Sequence, residues 1–342
     1  MKEDNTILSV QDLKKYYPVK QSSFLPSKRQ FVKAVDGVTF QLCRGETLGL
    51  VGESGCGKST IGRQLVGLER PTEGDLVYEG VSLVEHPEML KQVRTKIQMI
   101  FQDPYSSLNP RKPIYEILAA PMLYHKLESR ATVEKRIDEL LELVGLPKNA
   151  KERYPHEFSG GQRQRITIAK ALSLNPKLII CDEIVSALDV SIQAQILNLL
   201  RSLQKDFGLT YLFIAHGLGA VHYVSQRTAV MYLGKIVEIA DSESIFQAPM
   251  HPYSKALIET APIPDPTKRN RKILIPEGEI PSATNPPSGC RFHTRCPYAT
   301  EQCSQKEPPM KTILDDNGME HSVACFHPNR NQSGGKDEWQ NI

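Results

Sequence analysis

The chain has 342 residues, 40% of them hydrophobic and 24% charged, with a formal net charge of +3. That is an ordinary composition for a folded chain with room for two domains. It excludes a strongly basic nucleic-acid binder and a low-hydrophobicity disordered protein. Met1-Lys2-Glu3-Asp4-Asn5 offers no apolar signal core, and no apolar run reaches the roughly 20 residues a spanning helix needs. The expected compartment is therefore the cytoplasm.

Residues 7–17 and 31–51 read as strands, with turns at Gly37 and Arg44-Gly45-Glu46. The run Thr47-Leu48-Gly49-Leu50-Val51 leads into Gly52-Glu53-Ser54-Gly55-Cys56-Gly57-Lys58-Ser59-Thr60, and residues 59–68 read as a helix ended by Gly67 and Pro71. The pattern G-x-x-x-x-G-K-[ST] between strand and helix is a phosphate loop. Gly52, Gly55 and Gly57 let backbone N–H groups turn inward, with Ser54 and Cys56 between them, and the helix N-terminus adds favourable partial charge. Lys58 is expected at the β- and γ-phosphates and Ser59 on Mg²⁺. The chain should bind a nucleoside triphosphate.

Pro71-Thr72-Glu73-Gly74-Asp75 reads as a turn before the strand-like Leu76-Val77-Tyr78, and Ile97–Phe101 as a further strand. A Pro-rich loop from Asp103 to Pro113 then breaks the pattern, and from Ile114 to about Lys148 the period turns helical. Val133, Ile137, Leu140, Leu141 and Val144 share one face. This is an inserted helical subdomain, about residues 103–165. A helix runs from near Ser159 to Ser173. Leu178–Cys181 and Tyr211–Ile214 are buried-type strands, 190–207 an amphipathic helix, and 229–233 with 235–238 a hairpin around Gly234. Strands alternating with helices imply a parallel sheet in an α/β layer structure.

Leu178–Cys181 ends in Asp182 and Glu183. Two carboxylates at a strand end suit phosphoryl chemistry: Asp182 near the metal, Glu183 polarising the attacking water. Alone, the pair could also be two surface acids, the less favoured reading. With the phosphate loop upstream the chemical reading is favoured.

Between these elements lies Phe158-Ser159-Gly160-Gly161-Gln162-Arg163-Gln164-Arg165. Here the sequence closely resembles the ABC ATPases, over roughly residues 6–255. Ser159, Gly160, Gly161 and Gln162 match the family signature, an anion site of small residues at a helix N-terminus. The resemblance implies that the signature completes the site of a facing subunit, so two chains sandwich two ATP molecules. It also implies a P-loop (RecA-like) ATPase core with an antiparallel β subdomain and the inserted helical subdomain. Further positions match by resemblance: Tyr17 for adenine stacking (Tyr16 as fallback), Gln102 at Mg²⁺ and the attacking water, Ser186-Ala187-Leu188-Asp189 for communication between subunits, and His216 as the switch histidine on the γ-phosphate. Departures are Ile184 where Pro is usual, Gly217 where Asp is usual and Lys170 where Arg is common. They bear on hydrolysis rate more than on binding.

Phe101-Gln102-Asp103-Pro104-Tyr105-Ser106-Ser107-Leu108-Asn109-Pro110-Arg111, the stretch Ser186–Gln195, and His251-Pro252-Tyr253 followed by Gly289–Pro297 are similar to the oligopeptide and dipeptide importer branch. Within it the chain most resembles the second, F-type ATPase subunit. The resemblance implies ATP hydrolysis that energises peptide import, a paralogous ATPase partner, two transmembrane permease subunits and an extracytoplasmic binding protein. The chain would sit on the cytoplasmic face of the membrane. Import of nickel or metal chelates is an alternative within the family. From other classes come a nucleic-acid-handling ABC ATPase, disfavoured by one cassette and modest charge, and a regulator that binds nucleotide without hydrolysis, disfavoured by Glu183.

Beyond about residue 255 the composition changes. Residues 262–289 read as a Pro- and Gly-rich linker, the run Lys268–Lys272 as solvated, and 331–342 as a disordered tail. Cys290, Cys296, Cys303 and Cys325 crowd into this small, irregular C-terminal extension (256–330) with spacing C-x₅-C-x₆-C-x₂₁-C. In a reducing compartment such a cluster suggests metal ligation. The spacing is wider than most structural zinc sites and suits a cubane Fe–S cluster at least as well, while free thiols stay possible. The resemblance adds a [4Fe–4S] cluster, with Zn²⁺ as the alternative. His293, His321 and His327 are spare ligands, each expected to be an ordinary surface histidine.

Overall fold

The structure, a computed structural model, describes residues 5–19, 30–260, 278–314 and 318–329. Strands β1 (Thr6–Pro18), β2 (Phe31–Cys43) and β3 (Thr47–Val51) lead into helix α1 (Lys58–Leu65). Then come β4 (Glu73–Tyr78), β5 (Val81–Ser82), α2 (Leu90–Lys96) and β6 (Ile97–Ile100). The inserted helices are α3 (Pro104–Ser107), α4 (Ile114–Tyr124) and α5 (Val133–Leu143), followed by α6 (Gly160–Leu172). The second half runs β7 (Leu178–Asp182), α7 (Val190–Phe207), β8 (Thr210–Ala215), α8 (Leu218–Val224), β9 (Arg227–Tyr232), β10 (Lys235–Asp241), α9 (Ser242–Gln247) and α10 (Pro252–Glu259). The C-terminal segment adds α11 (Glu301–Gln305), β11 (Lys311–Leu314) and β12 (Glu320–Val323).

Among the described residues β1, β2, β4 and β5 form an antiparallel sheet in the order β2-β1-β4-β5, and the larger sheet runs β11-β12-β10-β9-β3-β8-β7-β6. Its centre is parallel: β6 on β7, β7 on β8, β8 on β3, β3 on β9. Parallel strands bury both faces, so β3, β7 and β8 are buried throughout. Their alternation sorts the core. Leu178, Ile180, Leu212 and Ile214 face the layer capped by β1 and β2, while Ile179, Cys181, Tyr211 and Phe213 face the helical side. Val133, Ile137, Leu140, Leu141 and Val144 are fully buried in that second core, as the period predicts. Strands β3, β7 and β8 point their carboxyl ends the same way, which gathers their following loops at one edge, where α/β sheets bind ligands.

Three sequence expectations are corrected. Glu73-Gly74-Asp75 is not part of a turn but the start of β4, paired with β1 through Gln11↔Asp75 and Lys14↔Glu73. There the Lys14–Glu73 ion pair of 2.7 Å crosses the two strands. Helix α10 occupies residues where only a change of composition is legible. The C-terminal extension is not wholly irregular, because β12 pairs antiparallel with β10 at Glu238↔Val323 and carries β11 with it. Phe292 of the extension is fully buried against Tyr232 and Tyr253. The proposed tail (331–342) and the basic run Lys268–Lys272 lie outside the described residues, as does most of the linker. No described helix is long and apolar enough to cross a membrane.

Candidate nucleotide site and thiol pocket

The phosphate loop joins β3 to α1. Gly57 sits at φ +109°, and a side chain there would put its Cβ 2.1 Å from the Ala34 carbonyl oxygen. Gly52 is packed as tightly, its would-be Cβ lying 2.1 Å from the Met231 carbonyl. Only glycine fits a backbone so close to β2 and β9. Lys58 is buried and donates to the carbonyls of Gly52 (2.8 Å) and Glu53 (3.1 Å), so its ammonium is held inside the loop's curl. The loop is anchored from outside too. The Gly234 N–H donates to the Cys56 carbonyl, and the Glu53 N–H donates to the Tyr253 hydroxyl.

Ser59 Oγ donates to Asp182 Oδ1 at 2.8 Å, which joins the loop to the end of β7. Burial raises the Asp182 pKa above the ordinary carboxylate value, while the Ser59 hydrogen bond works against the shift. A hydroxyl and a buried, poorly solvated carboxylate side by side form a hard oxygen donor set that fits Mg²⁺. One step on, Glu183 is 7% exposed and has φ +52°, a left-handed conformation uncommon outside glycine. Its N–H donates to the Ile214 carbonyl at 2.9 Å, which ties the turn to β8. Gln102 Nε2 donates to Glu183 Oε2 at 2.9 Å, and His216 Nε2 stands 2.6 Å from Oε1. Lys58, Ser59, Gln102, Asp182, Glu183 and His216, spread over 159 residues of sequence, meet at one edge of the sheet.

Ser159 caps α6: its Oγ accepts from the Gln162 N–H (3.3 Å), while the Gln162 side chain accepts from the Ser159 N–H (3.0 Å). Both residues are exposed. Gly161 packs on α7, its would-be Cβ 2.5 Å from Ile192 Cγ2. Among the described residues no hydrogen bond joins this signature to the phosphate loop of the same chain, so the structure does not bring Ser159–Gln162 together with Lys58 and Ser59. Ser186 Oγ donates to the Glu183 carbonyl at 2.8 Å, which links the Ser186–Asp189 loop to the acidic pair. Lys170 donates to the Ser107 carbonyl (2.8 Å) and connects α6 to the segment after Gln102. Tyr17 bonds Glu69 through its hydroxyl and stands beside Thr60, whereas Tyr16 is tied to Asp36.

A second site lies in the extension. Cys290, Cys296, Cys303 and Cys325 line one pocket, closed by Phe292 and by His251 from the start of α10. The Cys290 N–H donates to the Cys303 carbonyl (2.8 Å), and Gly289 at φ +65° allows that close approach. Burial pushes the Cys290 thiol up to about 11 and that of Cys325 up to about 12. All seven cysteines are free of disulfides. Among the described residues no three His, Cys, Asp or Glu side chains stand at metal-ligating distances from a common point. The buried Nε2 of His251 has no hydrogen-bond partner. Four thiols around an apolar pocket with an orphaned nitrogen fit a thiolate-held metal or cluster in donor type, though not yet in spacing. His321 is not a surface histidine. It is 1% exposed and lies 2.6 Å from Glu238, which is fully buried on β10. The only sequence hint of this pairing is a lone Glu inside the apolar strand 236–240.

Comparisons with known proteins agree with this geometry. The family profile "ABC transporter" matches residues 35–186, and "Oligopeptide/dipeptide transporter, C-terminal region" matches residues 237–303. The oligopeptide transport ATP-binding protein AppF of Bacillus subtilis is 50% identical over 94% of this chain and 97% of its own length. The chain belongs to this family of ABC ATP-binding proteins. OppF of Salmonella typhimurium is also 50% identical, over 95% of this chain and 97% of its own, and the dipeptide transport protein DppF of Haemophilus influenzae is 48% identical over 96% and 98%. Among solved structures, the cassette MJ0796 in a dimeric post-hydrolysis state with ADP and Pi aligns with a TM-score of 0.60 at 26% identity, covering 69% of this chain and 98% of that one. Membership establishes the cassette fold and an ATPase.

Proposed function

We propose that this chain hydrolyses MgATP to drive import of oligopeptides or dipeptides through a membrane ABC transporter. The observation that carries it is the identity of about half of all residues with oligopeptide and dipeptide transport ATP-binding proteins over nearly the whole chain. The chemical cluster around Glu183 supports it.

In this reading the N–H groups of residues 52–60 cradle the phosphates, with Lys58 at the β- and γ-phosphates. Ser59, Asp182 and Gln102 hold Mg²⁺, which offsets phosphate charge. Glu183 takes the proton of the attacking water, and His216 moves from its contact with Glu183 to the γ-phosphate. Tyr17 stacks on the adenine; its place beside Thr60 supports it over Tyr16. The Ser159–Gln162 segment, with Ser159 and Gln162 exposed, completes the site of a facing, paralogous subunit. Closure moves Gln102 and the helical subdomain (103–165) against two permease subunits, so the chain works from the cytoplasmic face. An extracytoplasmic binding protein supplies the peptide.

The division into an ATPase unit (1–255) and an extension (256–330) belongs to the same proposal. Cys290, Cys296, Cys303 and Cys325 would hold a [4Fe–4S] cluster, or Zn²⁺, as a staple where little core exists. Iron, sulfide and zinc analysis of anaerobically purified protein distinguishes the two, and absence of all three overturns the staple. The functional test is reconstitution with permeases, partner ATPase and binding protein in vesicles. Labelled peptide should enter only with MgATP and intact Glu183. Uptake of nickel instead of peptide, or salt-sensitive nucleic-acid binding with no uptake, overturns the reading.

A further inference from the structure

The phosphate loop carries an acid of its own. Glu53 lies between Gly52 and Ser54, one peptide from N–H groups that should face phosphate oxygens. A free carboxylate there would repel a polyphosphate at the distance where such repulsion is strongest. The structure does not leave it free. Arg295, 242 residues later in the extension, sets one guanidinium nitrogen 3.2 and 3.1 Å from the two Glu53 carboxylate oxygens. The arginine side chain is 9% exposed and the glutamate 27%, so the pair is only partly open to solvent screening. The same nitrogen reaches the Tyr232 hydroxyl at 3.4 Å, and the guanidinium lies against the rings of Tyr232 and Phe292. Tyr253 holds the Glu53 N–H at 2.9 Å, so both ends of this residue are gripped from outside the loop.

A second arginine repeats the arrangement. Arg291 is buried, pairs with Asp36 on β2 and donates to the Leu233 carbonyl beside the Gly234 turn that holds Cys56. The segment between Cys290 and Cys296 thus sets one cation on the phosphate loop itself, at Glu53, and a second on Asp36 and the Leu233 carbonyl beside the turn that holds the loop. This is more than packing requires. An apolar residue at position 295 would fill the space against Tyr232 and Phe292 without a buried charge, which is expensive to keep.

We propose that Arg295 is a positioning residue of the nucleotide site: it neutralises Glu53, turns the carboxylate away from the phosphate cradle and so makes the C-terminal extension part of the ATP-binding machinery. The assignment rests on the nucleotide-binding reading above. It also gives the thiol pocket a route to the ATPase, since Arg295 immediately precedes Cys296.

The test is a double-mutant cycle on the full-length chain, read as the Kd of a fluorescent MgATP analogue, with thermal melting in parallel. Arg295→Ala should weaken binding about tenfold, because it leaves an unpaired carboxylate beside the phosphates. In the Glu53→Gln background the same change should cost less than about twofold, the carboxylate being gone. Glu53→Gln alone removes the repelling charge and keeps a side-chain oxygen for Arg295 to bond, so it should bind MgATP at least as tightly as the parent. Arg295→Lys keeps the charge and should stay within about threefold. In the assembled transporter, Arg295→Ala should raise KM for ATP and leave kcat within about twofold. Equal losses in both backgrounds, unchanged binding in Arg295→Ala, or weaker binding in Glu53→Gln would each overturn the assignment. A parent chain that fails to bind MgATP removes the nucleotide reading itself, a result distinct from a parent that binds and variants that bind equally.

Discussion

His216 Nε2 lies 2.6 Å from a carboxylate oxygen of Glu183, while Gln102 Nε2 holds the other oxygen at 2.9 Å. Each oxygen of the acid proposed to activate water therefore has one partner and keeps a second lone pair for a water, and its backbone is fixed at φ +52°. Glu183→Gln keeps the shape and removes the base. It should cut ATP turnover by about 10²–10⁴-fold with MgATP affinity nearly unchanged. His216→Ala should also lower kcat, by about 10²-fold, through loss of a γ-phosphate contact. Steady-state ATPase assays of the reconstituted transporter, with parallel nucleotide binding, check both. Retained turnover in Glu183→Gln would reassign the base.

Asp182, the proposed Mg²⁺ ligand, is costly to bury. Its pKa is raised by burial, so folding favours the protonated acid. The stability it contributes is full below the unfolded value of about 4 and is lost as pH rises through the raised folded value. Above that value the ionised carboxylate is a burden on the metal-free protein. Asp182→Asn should raise the melting temperature at pH 8 without Mg²⁺ and leave it unchanged near pH 4. The same variant should lose the Mg²⁺ dependence of ATP binding. Melting curves across pH, with and without Mg²⁺, test the two halves separately.

The nucleotide site was legible because its chemistry is local in sequence. Gly52–Ser59 and Leu178–Glu183 each announce themselves through a strand ending in the residues proposed to react, and the sheet then brings the strand ends together. What joins them was not legible. The Ser59–Asp182 and Gln102–Glu183 hydrogen bonds depend on the strand order, which no spacing encodes. The extension was least readable. Two strands of four residues each carry little periodicity, and β12 is recognisable only once β10 offers it an edge. Glu73 looked like a turn residue because Gly74 follows it at φ +86°, although the strand absorbs that glycine as an irregularity in its register with β1. His321 was misread for a similar reason. A polar residue in a short strand looks solvated until its buried partner, Glu238, is found on another strand.

That partnership is the staple between extension and core. Glu238 is fully buried and accepts from the N–H groups of Met250 (2.7 Å) and His251 (3.0 Å) as well as lying against His321. Removing one member of a buried polar pair costs about 3–5 kcal/mol, since the other stays in the interior with fewer partners. His321→Ala should therefore lower the melting temperature markedly and raise hydrogen exchange in residues 320–323. Glu238→Gln keeps an acceptor toward Met250 and His321 but sets an amide NH2 against the His251 N–H; being isosteric, it should be milder. Equal effects of the two substitutions would show that charge rather than shape holds β12 in place.

Gly161 gives a way to test the facing-subunit arrangement without touching the phosphate loop. A methyl group at this position would lie 2.5 Å from Ile192 Cγ2, so Gly161→Ala must displace the Ile192 side chain or push α6 and the start of α7 apart. The displacement shifts Ser159 and Gln162, which are exposed and bonded to each other, and leaves Lys58, Ser59 and Asp182 alone. If the signature serves a neighbour's nucleotide, the isolated chain should bind MgATP within about twofold of the parent, because the signature contributes nothing to its own pocket. ATP-dependent dimerisation and turnover in the assembled transporter should fall by at least about tenfold. Light scattering of a Glu183→Gln background, in which closed dimers should accumulate, measures the first quantity directly. A Gly161→Ala chain that dimerises normally yet binds ATP poorly would place the signature in its own subunit's site.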